Sequence, residues 1–170
     1  MSSEQQSSSE QQSSLGPVLG RVPSGVFILV AGDGQGRRTG LLASWIQQAS
    51  FEPPQVTIAV NKSRYLVDWL KPGAAVSINQ IQKGDNTLFR QYSKGFDPDA
   101  DAFAGVDFIE GSVGLPLLKS AMASMEGVIS GQMEAGDHVI FLVTLTNAVA
   151  HRDVSEFDPF VHVRKNGFSY

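Results

Sequence analysis

Apolar residues in this chain fall into short blocks punctuated by glycine, proline and polar residues. Most blocks have the length and β-branched content of strands. Residues 25–31 (GVFILVA) form a continuous apolar run, the pattern of a strand buried on both faces. Residues 38–44 and 55–60 predict two more strands, and 74–81 another. Residues 125–134 and 138–150 alternate or run apolar and meet at Gly136-Asp137, a turn signal. Near the C-terminus, Asn166-Gly167 separates two β-like pieces, the signature of a tight hairpin.

Two stretches break the β pattern. Ser63 has the character of a helix N-cap, with Leu66, Val67 and Leu70 on one face and Pro72-Gly73 as the stop. Residues 87–92 predict a second short helix. Many closely spaced strands with few helices predict a mainly β fold, a closed β-barrel with helical insertions.

The first fifteen residues behave differently. The unit SSEQQS repeats, and nothing in it can fill a core. Residues 1–15 are therefore expected to be a disordered linker, with one domain over 16–170. A linker at this end suggests a module of a larger protein.

Composition narrows the classes. With 42% hydrophobic and 18% charged residues the chain reads as globular, and 170 residues suffice for one sizeable core. A net charge of −4 argues against nucleic acid as a partner, since that needs basic surface. No cysteine is present, so thiolate metal sites and disulfides are excluded. No apolar run approaches membrane-spanning length, and no leader pattern opens the chain. A cytoplasmic protein without a membrane partner is the expectation.

Conventional catalysts are missing. There is no HExxH, GxSxG or Walker A pattern, and residues 127–131 (GVISG) miss the nucleophile-elbow spacing. Residues 32–36 (GDGQG) space their glycines as GxGxG, which reads as a hairpin loop instead of a dinucleotide fingerprint. Asp97, Asp99 and Asp101 open like a calcium loop, but Ala102 and Phe108 occupy the positions of its glycine and glutamate. His138, His151 and His162 lie at no metal-ligand spacing, so no metal is expected. Difficult chemistry would then sit on a cofactor, with the protein supplying placement and electrostatics.

Residues 37–60 (RRTGLLASWIQQASFEPPQVTIAV) suit such a role. Small residues let a flat ligand approach the backbone. Hydroxyls and amides can bond its polar edge, and Pro53-Pro54 rigidifies the return. Two strands joined by a proline turn is the plainer reading. The order Thr39, Ala43, Ser44, Ser50, Phe51, Glu52, Pro53, Pro54 resembles the flavin-contacting signature of the flavin reductase-like family. The similarity extends over 16–170.

That resemblance implies a six-stranded Greek-key split β-barrel that binds FMN, with FAD the weaker alternative. It also implies a homodimer and NADH or NADPH as electron donor. On this reading Leu42, Ala43, Ser44 and Trp45 run along the flavin ring, with Thr39 and Ser50 near its ribityl chain or phosphate. Trp45 departs from the smaller residues usual there, and packs on the ring, narrows the nicotinamide pocket or is simply core. Asn61, Lys62, Ser63 and Arg64, at a strand end before a helix, favour an anion. In the family that segment helps hold the flavin phosphate, and Lys94 matches a basic position near it. His138, in a Gly-Asp-His that many members carry, faces nicotinamide or flavin, or else satisfies backbone groups at a turn.

The C-terminal domain of cyanobacterial diflavin flavodiiron proteins is similar in detail, in the RRTGLLASW wording and the tail. This implies upstream di-iron and flavodoxin-like domains in a protein that reduces oxygen to water, with this chain as electron entry. An FMN-binding relay or sensor without NAD(P)H turnover is the alternative, and a barrel that only dimerises is another.

Overall fold

The computed structural model describes residues 3–169, with side chains from residue 12 onward. It divides into two units, 1–24 with 161–170, and 25–160.

The terminal unit holds helix α1 (Ser3–Gly20), strand β1 (Ser24–Gly25) and, near the C-terminus, a paired strand at Val161–His162. The expected linker, 1–15, overlaps this helix. Residues 1–2 and the side chains up to residue 11 lie outside those described. The expected hairpin at Asn166-Gly167 does not form. Asn166 Oδ1 accepts the Phe168 N–H at 2.8 Å, closing a local Asx turn. The segment packs on α1 instead: the Gly167 and Arg164 N–H groups donate to the Gly16 and Gly20 carbonyls at 2.7 and 2.8 Å. A Cβ on Gly167 would lie 2.3 Å from that of Leu19, so glycine serves close approach here.

The main unit is built on one antiparallel sheet. Its strands are β2 (Phe27–Gly32), β3 (Arg38–Ala43), β4 (Ile46–Ser50), β5 (Gln55–Asn61), β6 (Ala75–Gln80), and, after a small β7–β8 hairpin (Phe108–Glu110, Pro116–Leu118), β9 (Ala123–Ala135) and β10 (His138–Ala150). The order is β3-β2-β6-β9-β10-β5-β4, seven strands. The terminal strand at Val161–His162 is β11. β3 and β4 stand at opposite edges of the sheet, yet only Ser44 and Trp45 separate them in the chain. The sheet must therefore curl until its edges meet. Counting β3–β4 as one interrupted strand gives six strands and a Greek-key split barrel, as the family resemblance implied.

Side-chain alternation fills it. Val56, Ile58 and Val60 of β5 and Val139, Phe141 and Val143 of β10 enter the barrel with Leu29, Leu41, Ile78 and Ile129. A second cluster covers the outside of β2, where Ile28 and Val30 meet Leu88, Tyr92, Phe103 and Leu118. β2 is thus buried on both faces, which is why its sequence does not alternate. Tyr92, on α2 (Thr87–Tyr92), lies so close to β3 that a Cβ on Gly40 would be 2.3 Å from its ring.

Two expectations need correction. The helix after Ser63 is a single 3-10 turn, Tyr65–Asp68, with Arg64 at its N-cap and no side-chain cap. Ser63 instead gives its N–H to Asn61 Oδ1 at 2.9 Å. β4 was not resolved from the sequence, because only Ile46 among its residues is buried and no alternation marks it.

Between the two clusters lies a buried polar layer on the outer face of β6 and β9. Asn79 Oδ1 accepts from the Leu118 N–H at 2.8 Å and the Ser124 hydroxyl at 2.7 Å. That spends the Ser124 proton, so His151 Nε2, 2.8 Å away, is the donor to Ser124. Ser77 donates to the Pro116 carbonyl at 2.7 Å. Glu126, fully buried, accepts from the Val113 N–H, Ser112 Oγ and Asn147 Nδ2 at 3.0, 3.0 and 2.8 Å. Burial pushes the Glu126 carboxyl up, but these donors outweigh it and hold it below the usual carboxylate range.

Glu126→Gln should therefore lower stability at neutral pH by about 1–3 kcal/mol, because the new amide cannot accept from all three donors. A depressed native pKa makes the carboxylate's contribution complete above the unfolded value of about 4.3. It fades as pH falls through the lower native value. Urea unfolding of both proteins against pH should show the gap narrowing on acidification; a gap constant with pH would contradict an ionised Glu126.

Candidate functional site

The ends of β5 and β10 meet at the break between β3 and β4. His138 pairs in register with Asn61 on β5 and with Ala135 on β9. The Ala59 N–H donates to the Trp45 carbonyl at 2.9 Å, tying the break to β5. The Trp45 indole then lies against the His138 imidazole, ring centres 4.7 Å apart and planes tilted by 37°. Four expected site residues, Trp45, Asn61, Lys62 and His138, are thus neighbours through β-sheet register.

Two carboxylates hold this group, Asp137 of the Gly-Asp-His motif and Glu134, which the sequence did not mark. Asp137 Oδ1 is 2.8 Å from His138 Nδ1, so His138 directs its Nε2 edge elsewhere. The hydrogen bond from His138 is the first cause that keeps the Asp137 carboxyl below its ordinary value. The Asp137 carbonyl accepts the Lys62 N–H at 2.9 Å, and Lys62 Nζ pairs with Glu134. Asp137 follows Gly136, whose φ of 61° closes the β9–β10 turn. The Gly-Asp-His motif was legible at that position; its placement beside Asn61 and Lys62 needed the strand register.

The remaining candidates separate. Along β3 alternate residues face opposite ways. Leu41 and Ala43 enter the barrel core, whereas Leu42 packs against the outer cluster. Thr39, 2% exposed, accepts a hydrogen bond from the Tyr65 hydroxyl at 2.9 Å. Ser44 is half-buried at the break. Ser50 lies at the other end of β4, about 17 Å along the strand from Trp45 at about 3.4 Å per residue. Ser63, Arg64 and Lys94 are exposed. Arg64 comes close to the chain at Lys94-Gly95: its Nη1 is 3.1 Å from where a Cβ on Gly95 would stand.

Two open grooves flank the start of β3. One, of about 400 Å³, has Arg37, Arg38, Asp99 and Phe103 in its walls. The other, of about 510 Å³, includes Arg37, Trp69, Lys71 and Leu115. Neither includes residues 42–45. Arg37 is clamped to Asp33 at 2.7 Å and reaches Asp99 at 3.4 Å, and Arg38 pairs with Glu110 at 2.6 Å. Among the described residues no group of three or more His, Asp or Glu could hold a metal, and no helix is long and apolar enough to cross a membrane.

Comparison with known proteins agrees with this architecture. Residues 19–168 match the model of the flavin reductase like domain. Diflavin flavoprotein A 1 of Synechocystis is 35% identical over 156 residues, 85% of this chain and 27% of that protein. A putative diflavin flavoprotein A 1 of Thermosynechococcus vestitus is 36% identical over 92% of this chain and 27% of its own length. The chain thus spans about a quarter of the length of the curated relatives it matches. Among solved structures, the NADH:FAD oxidoreductase SgcE6 of Streptomyces globisporus has a TM-score of 0.76 and 27% identity, covering 86% of each chain. The same enzyme in complex with NAD and FAD fragments gives 0.75 and 26%, covering 86% of this chain and 85% of the other.

The Thr39–Tyr65 contact ties the start of β3 to the turn after β5. Tyr65→Phe should cost about 0.5–1.5 kcal/mol in chemical unfolding without altering the far-ultraviolet circular dichroism. No loss of stability would mean the hydroxyl pair adds nothing over water.

Proposed function

The chain belongs to the flavin reductase like domain family, and on that premise we propose that it binds FMN and accepts hydride from NADH or NADPH. The observation that carries this reading is the β3–β4 break. There the backbone changes partners, an indole and an imidazole offer flat apolar faces, and a half-buried hydroxyl stands beside them.

The residues present fit such a group. Ser44 and the backbone at 42–45 offer hydrogen-bonding groups for a polar ring edge. Asn61 to Arg64 follow the end of β5 as an exposed turn with two cations, and Arg64 approaches Lys94-Gly95. That arrangement suits a phosphate. Bound flavin would supply the hydride-accepting ring, which the chain's own side chains cannot. The protein's share is to orient that ring against Trp45, exclude water from it and hold donors at its electron-rich edge. Asp137 fixes the orientation of His138, which faces the same place through Trp45. Thr39 and Ala43 support from within the barrel. Ser50 stands at the far end of β4, away from this group.

The parent protein, on this reading, is a longer diflavin flavoprotein with upstream flavodoxin-like and di-iron domains. There this cytoplasmic module admits electrons that end on oxygen. The similarity to diflavin flavoproteins and the quarter-length coverage support that assignment.

Purified chain should turn yellow with FMN, and NADH or NADPH should bleach it without oxygen. Colour that persists with both nucleotides would leave an electron relay or sensor as the function. Ser44→Asp sets a negative charge at the proposed ring edge and should weaken FMN binding about tenfold or more, roughly 1.4 kcal/mol. Unchanged affinity by fluorescence titration would remove the flavin from that position.

A further inference from the structure

From the groove of about 510 Å³ beside β3 we infer a subsite for an adenosine 5′-phosphate group. Its volume is that of a small-ligand pocket. One wall is the β2–β3 hairpin, the second the Trp69–Ala75 segment, and the third the turn at Val113–Leu115. All three are fixed. Asp33 clamps Arg37 on the first, the Gly73 N–H donates to the Ile129 carbonyl at 2.8 Å on the second, and Glu126 holds Val113 on the third.

The chemistry of the lining selects the ligand. Trp69 provides an aromatic platform, packed edge-on against Tyr65 with ring centres 5.3 Å apart. The Arg37 guanidinium stands 5.6 Å from the indole centre. Lys71 is exposed and makes no ion pair among the described residues. Of the three cations in the lining, Arg37 is paired with Asp33 and Asp99 and Arg38 with Glu110, which leaves Lys71 as the cation there with no ion pair among the described residues. A Cβ on Gly36, Gly73 or Gly114 would meet nothing within 4 Å, so these parts of the wall leave open space for a flat group. A planar base stacked on Trp69 with its phosphate toward Lys71 and Arg37 satisfies both features.

The groove is also connected to the turn proposed for the flavin phosphate. Arg64 adjoins Tyr65, Tyr65 meets Trp69, and Trp69 meets Arg37. Adenosine phosphate is the part shared by FAD and by the nicotinamide coenzymes, and either could place it here. Binding of the group alone is read without flavin or hydride transfer, so this subsite stands or falls apart from the proposed activity.

The test is calorimetric titration of the full chain with ADP, in wild type, Lys71→Glu and Trp69→Leu. Lys71 is exposed, so its variant keeps the fold, and leucine retains bulk against Tyr65. Each variant should weaken ADP at least about fivefold, the effect expected for a lost stacking or phosphate contact. FMN affinity should not change. If the variants also erase a preference for FAD over FMN, the group belongs to the flavin. If they raise KM for NADH or NADPH at constant kcat, it belongs to the coenzyme. Absence of ADP binding at millimolar concentration, or ADP binding indifferent to both variants, overturns the proposal.

Discussion

Closure of the barrel is the constraint from which the rest follows. β3 and β4 lie at opposite edges of the sheet, and two residues join them. So short a link requires the sheet to curl, with the first part of the interrupted strand paired to β2 and the second to β5. The strand is interrupted where it changes partners, from β2 to β5. A half-buried hydroxyl and an indole stand at that interruption. The same geometric necessity that closes the fold thus makes an irregular place on an otherwise regular wall. Register then delivers His138 and Asn61 to it from β10 and β5.

The second support is polar. Segment 111–118 lies over the outer face of β6 and β9 through Asn79, Ser77, Ser124 and Glu126. Each buried polar atom in this layer has partners, so the cost of desolvation is offset by hydrogen bonds in a low-dielectric setting. An unpaired Glu126 would cost far more than its bonds contribute. The layer holds one wall of the groove at Trp69 and fixes the β7–β8 hairpin against the barrel. Apolar contacts there would give similar burial with less definition of where the segment lies.

Much of the fold was legible in the sequence, for local reasons. Residues 25–31 announced a buried strand by their unbroken apolar run, and the apolar blocks of β5 and β10 announced strands. Pro72-Gly73 and Gly136-Asp137 marked their turns. β4 was illegible because an edge strand with one buried residue carries no period. Asn166-Gly167 misled, because its partner is helix α1 and not a neighbouring strand. Of the candidate site, the segments 42–45 and 61–64 were visible by order of residues. Their division was not: Ala43 turns inward and Leu42 outward, which only the barrel decides. Glu134 escaped notice because its partner, Lys62, is distant in sequence and meets it only in the folded sheet; Asp137 was named with His138 in the Gly-Asp-His motif, but its contact with the Lys62 backbone was not legible.

The central claim is that a flavin lies along the β3–β4 break. Backbone amide shifts of the isotopically labelled chain, recorded as FMN is added, test it most directly. The account predicts the largest changes at residues 42–45 and 61–64, with β6 and the β7–β8 hairpin little altered. Changes confined to other segments, with 42–45 unmoved at saturating FMN, would contradict it.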